Sequence, residues 1–86
     1  MPTVAMIFGM AILFYYDDHE PPHFHVRAPD FSARIDLGDL GVTELNGRMR
    51  PRDLMRIRNW AVRHRAALYE NWNRARRKQA LVKIED

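Results

Sequence analysis

Between residues 23 and 37 apolar and polar side chains alternate almost without interruption. In HFHVRA (23–28) Phe24, Val26 and Ala28 fall on one side, and His23, His25 and Arg27 on the other. In FSARIDL (31–37) Phe31, Ala33, Ile35 and Leu37 alternate with Ser32, Arg34 and Asp36. A period of two is that of a half-buried strand. Pro29-Asp30 between the two runs is turn chemistry, so the pattern predicts a hairpin. With a two-residue loop Ala28 faces Phe31. Counting back places Arg27 opposite Ser32, His25 opposite Arg34 and His23 opposite Asp36. One face of this hairpin then carries two histidines, two arginines and an aspartate, and Asp36 is placed to orient His23.

Upstream, residues 3–8 and 10–16 are rich in Val, Ile, Phe and Tyr and predict two strands, with Gly9 as a bend or bulge between them. The second is apolar on both faces, as a central, covered strand is. DDHEPP (17–22) is a loop, because neither proline can donate to a ladder. Downstream, residues 38–50 form a linker with one short edge strand around Val42–Leu45, and Asn46-Gly47 marks a turn. Pro51 and Asp53 suit the first turn of a helix. Leu54, Ile57, Ala61, Leu68, Trp72 and Ala75 then recur at helical spacing, with Trp60 at the flank, partly exposed. This pattern allows one long helix or two with a break near His64-Arg65. LVKI (81–84) is a short terminal strand or a tail that docks its apolar residues.

Together these elements predict an α+β fold. A small, mainly antiparallel N-terminal sheet of three to five short strands is packed by one long or two short C-terminal helices. Eighty-six residues hold one core, so residues 1–86 are expected to be a single domain. It divides into a β-rich part (1–45), a helical part (51–79) and a tail (80–86). The apolar run 3–16 lacks a basic leader and is too short to span a bilayer, so a cytoplasmic protein with no membrane partner is expected.

Charge adds an asymmetry. Residues 1–47 carry two arginines against seven carboxylates, a balance of −5; residues 48–86 carry twelve basic groups against four carboxylates, a balance of +8. Arg52, Arg56, Arg63, Arg74 and Arg77 fall along one helical stripe. Such a stripe suits phosphate or an acidic protein surface. A solvated face supported by the Glu70–Arg74 pair is the plainer account.

The polar hairpin face carries the candidate chemistry. His25 and His23 can exchange protons near neutral pH, and Arg27 and Arg34 can stabilise charge on a phosphate, an arrangement suited to metal-free RNA cleavage. With no cysteine, thiolate metal sites and disulfides are excluded. A metal is not favoured and no cofactor is expected. If a divalent transition metal binds, His19, His23 and His25 are its ligands, with Glu20 or Asp18 adding oxygen. Tyr15 and Tyr16 lie beside this region.

Three stretches carry a family resemblance: the opening MPT with its apolar double strand, HEPPHFHVR (19–27) and RHRAALYENW (63–72). The chain resembles the small bacterial family known as domain of unknown function 4160. The resemblance covers essentially the full length and marks His19, Pro22, His23, His25 and Val26 as motif positions. It departs from the family pattern at GVTELNG (41–47) and in the number of helix arginines. The resemblance implies a stand-alone protein encoded beside another small protein, in an arrangement similar to toxin–antitoxin pairs. The reading is therefore a component of such a module that binds RNA and cleaves it. The alternative is a non-catalytic module docking an acidic cognate partner. A metal-dependent hydrolase stands third. The neighbouring gene product and RNA are the expected partners, with a homodimer also allowed.

Overall fold

The computed structural model of the protein describes residues 2–85. Five strands run in chain order: β1 (Thr3–Ile7), β2 (Met10–Leu13), β3 (His23–Arg27), β4 (Phe31–Asp36) and β5 (Val42–Gly47). Each pairs antiparallel with the next, so the sheet is a meander of order β1-β2-β3-β4-β5. Two helices follow, α1 (Pro51–Arg63) and α2 (Arg65–Arg76). The architecture is the α+β arrangement the patterning predicts.

The turns follow local chemistry. Ile7 pairs with Met10 across a two-residue loop in which Phe8 and Gly9 both have positive φ, 48° and 79°. That is the left-handed conformation tight hairpins require. The β3–β4 hairpin closes with the Ala28 amide donating to the Phe31 carbonyl at 2.9 Å. Its register pairs Arg27 with Ser32, His25 with Arg34 and His23 with Asp36, as the two-residue loop demands. Between β4 and β5, the Asp36 and Asp39 carboxylates accept from the Gly38 and Gly41 amides at 2.6 and 2.8 Å, two local turns that reverse the chain.

Phe24, Val26, Ala33 and Ile35 of the hairpin join Val4, Ile12 and Phe14 in one buried cluster. Ile57, Trp60 and Ala61 of α1 and Leu68, Trp72 and Ala75 of α2 complete it. Trp60 is 2% exposed, so it belongs to the core rather than to its flank. Asp53 receives the Arg50 amide at 3.2 Å and helps start α1. The helical signal is interrupted at His64, whose φ and ψ of −118° and 22° end α1 and open α2. The break divides the arginine stripe between the two helices.

The tail docks as its apolar residues suggest. Asn71, 1% exposed, donates to the Val82 carbonyl and accepts from the Val82 amide, both at 2.8 Å. The Ile84 amide then donates to the Val4 carbonyl at 2.8 Å, and Leu81 and Ile84 pack on the core.

Candidate functional site

The site is built at the junction of the DDHEPP loop, β3 and α2. Alternation along β3 turns His25 and Arg27 away from Phe24 and Val26. The loop is tied at both ends, by the Asp18 amide to the Tyr15 carbonyl at 3.4 Å and by the Leu37 amide to the Pro22 carbonyl at 2.9 Å. The Glu20–Pro21 peptide within it is cis. This loop turns the Asp18 carboxylate onto the histidine pair. Asp18 Oδ2 lies 2.8 Å from His25 Nε2 and 3.2 Å from His23 Nε2. Donor atoms of Asp18, His23 and His25 all lie within 4.8 Å of one another.

The two histidines differ in setting. His23 is 3% exposed, its Nδ1 is 2.7 Å from the Pro21 carbonyl, and its ring lies 5.0 Å from that of Trp72 on α2. Its Nε2 is out of alignment for a hydrogen bond to Asp18 and is buried without a partner. His25 is half-buried, hydrogen-bonded to Asp18 and met edge-on by the Tyr15 ring at 4.5 Å. Burial lowers its pKa below 6.5; the Asp18 hydrogen bond and charge oppose this, while the charges of His23 and Arg34 add to it.

The other sequence candidates spread around this centre. Arg27 donates to the Tyr15 hydroxyl at 3.0 Å, and Arg34 donates to the Thr43 hydroxyl at 2.9 Å. A groove of about 90 Å³ beside Arg27 is lined by Tyr15, His25, Arg27, Ser32, Glu44 and Asn46 over Leu13, and Arg34 is not among its lining residues. Asp36 sits opposite His23 in register, but its carboxylate serves the Gly38 turn while Pro21 holds the histidine. His19 is exposed and outside the converging set. Of the two loop carboxylates weighed beside it, Asp18 turns inward, whereas Glu20 pairs outward with Arg76 at 3.3 Å. Tyr15 lines the site; Tyr16 is exposed.

On the helices, Arg52, Arg63 and Arg77 are exposed. The Arg56 guanidinium lies 4.2 Å over the Phe8 ring, and Arg74 pairs with Glu70 at 2.8 Å as its spacing predicts. None of the five is among the residues lining the groove. Trp72, placed by patterning on the core stripe but not at the site, and Thr43 are the further contacts. Trp72 follows from the helical stripe, whereas Thr43 has no sequence signal beyond its place in an edge strand.

A model of the family described as domain of unknown function (DUF4160) matches residues 9–73. The chain belongs to this family. The match contains β2, the loop, β3, β4, β5 and α1, and reaches Trp72 and Asn73 of α2. Every residue of the converging set therefore lies within it. No curated protein and no solved structure matches the chain. No helix among the described residues is long and apolar enough to cross a membrane.

Proposed function

We propose that this DUF4160 protein is the RNA-directed component of a cytoplasmic toxin–antitoxin-type module. The polar sheet face holds backbone phosphate and acts on it. The observation that carries this reading is the row His25–Arg34 across β3 and β4, with Arg27 two residues along on the same face beside the groove. Its volume of about 90 Å³ is well below the roughly 300 Å³ at which small-molecule pockets begin. A phosphate on an extended chain suits it better than a whole metabolite. The reaction class is phosphodiester cleavage. The attacking oxygen forms a bond to phosphorus and gives its proton to an acceptor, Arg27 and Arg34 take up charge on the phosphate oxygens, and the phosphorus–oxygen bond to the leaving group breaks as that oxygen takes a proton from water. His25, held by Asp18, is the acceptor this face supplies.

The test is a denaturing gel of single-stranded RNA incubated with untagged protein, beside a salt-dependent binding series. Arg27→Ala and Arg34→Ala are each expected to flatten the slope of log affinity against log salt by about 0.7–1. His25→Gln is expected to slow cleavage by about 100-fold or more. No binding at low salt, or cleavage unchanged in His25→Gln, refutes the reading.

A second reading, docking of an acidic partner, is supported by a different surface. Met6, Phe8, Met55 and Val62 are all more than half exposed, and Met6 and Phe8 line a cleft with Arg56, Asn59 and Arg63. An apolar patch with a cationic rim suits an acidic segment of the neighbouring gene product. Co-expression tests it. A complex lost in the Arg56→Glu, Arg63→Glu double variant, without RNA cleavage by the wild type, selects this reading over the first.

A further inference from the structure

The Asp18–His23–His25 cluster holds a buried ring nitrogen, without a hydrogen-bond partner, close to a carboxylate. A carbonyl oxygen only accepts, so the 2.7 Å contact to Pro21 fixes a proton on His23 Nδ1. Nε2 of the neutral ring is then a lone pair, buried and unpartnered, in a residue 3% exposed. Facing it at 3.2 Å is Asp18 Oδ2, another acceptor. Two acceptors at this range, one of them buried, repel. A divalent cation relieves it by taking the lone pairs of His23 Nε2 and Asp18 Oδ2 and, once the proton that His25 Nε2 donates to Asp18 has shifted to its Nδ1, that of His25 Nε2 as well.

We propose that Asp18, His23 and His25 bind one divalent transition-metal ion of the zinc class. Two imidazole nitrogens and a carboxylate suit zinc and its neighbours, whereas magnesium and calcium call for oxygen shells. The Nδ1 contact to a backbone carbonyl is how metal-bound histidines are oriented, with Nε2 left for the ion. Ligands about 2.1 Å from a tetrahedral ion lie about 3.4 Å apart. The observed 2.8 and 3.2 Å leave Asp18 about half an ångström too close, and the donor atoms, all within 4.8 Å of one another, adjust to that spacing as the ion enters. Trp72 covers the His23 side. Solvent reaches Asp18 and His25, which are 22% and 19% exposed, so the fourth position opens to water. An open position is what a reactive rather than a purely structural ion needs. This site stands without the RNA reading. Where both hold, Asp18, His23 and His25 would hold the ion, which would supply a bound hydroxide as base or nucleophile, and His25 would serve as a ligand rather than as the proton acceptor.

Untagged protein, stripped with chelator and containing no RNA, is titrated with Zn²⁺ by calorimetry and with Co²⁺ by visible absorption and tryptophan quenching. One equivalent is expected to bind, with the emission of Trp72 quenched by Co²⁺. His25→Gln and Asp18→Asn are each expected to weaken binding by more than about 100-fold, beyond the 10–100-fold typical of groups that only orient a ligand. Both positions are partly exposed and should fold, which far-UV circular dichroism checks; His23→Gln is the third arm. His19→Gln and His64→Gln are expected to bind like the wild type. Absence of binding, retention of binding in folded His25→Gln, or an equal loss in His19→Gln overturns the site. A metal-free result leaves the RNA reading standing, and RNA cleavage that persists in chelator separates the two.

Discussion

Replacing Asn71 with alanine should loosen the C-terminal tail and lower global stability together. The side chain is 1% exposed and makes two 2.8 Å hydrogen bonds to the Val82 backbone. A net contribution of about 0.5–1.5 kcal/mol per bond sets the loss at about 1–3 kcal/mol. Val82 is 48% exposed, so water can satisfy its freed amide and carbonyl, and no further penalty for stranded backbone groups applies. For a chain of this size each kcal/mol lowers Tm by about 4–8 °C. The loss should be coupled to the tail. In a chain ending at Ala80, Asn71→Ala should cost about 1–3 kcal/mol less than in the full chain, because the bonds it removes are already gone. Urea unfolding of the four proteins gives this cycle, and amide exchange reports the tail directly through the Ile84 amide bonded to Val4. Equal costs in both backgrounds, or unchanged protection of Ile84, would show that Asn71 does not anchor the tail.

Gly47→Ala should be among the more damaging single changes. At φ +92° a Cβ would stand 2.3 Å from the Asp30 carbonyl oxygen and 2.9 Å from Phe31 Cα, both backbone atoms, so a loss of at least about 2 kcal/mol is expected in urea unfolding. Arg74→Ala should change stability by less than about 0.5 kcal/mol in the same assay, because its pairing with Glu70 is solvent-screened, the side chains being 36% and 57% exposed.

What the sequence could and could not reveal divides along physical lines. The β3–β4 register was readable because side-chain period and loop length together leave one solution, and the core stripe of the helices was readable from its 3.6-residue period. The break at His64 was not, since apolar spacing runs through it; what ends α1 is a backbone conformation at one residue. The burial of Trp60 shows how a stripe's edge moves inward when two layers close over it. Among Asp17, Asp18, His19 and Glu20 no periodicity distinguishes the inward carboxylate, because a loop has no fixed face. Asp18 is selected by the backbone ties at Tyr15 and Pro22. Asp36 is the opposite case: strand pairing placed it correctly, but a nearby amide at Gly38 engaged its side chain first.

The two margins of the sheet are unequal. On the β1 side the tail lies against Val4, whereas β5 forms the other margin with five of its six residues exposed. The β5 margin is thus the more open of the two to strand addition. If two copies joined antiparallel through β5, each would use its more open margin, leaving a third copy only the margin along which the tail lies. Self-assembly by strand addition would therefore favour a pair of copies over a growing fibre.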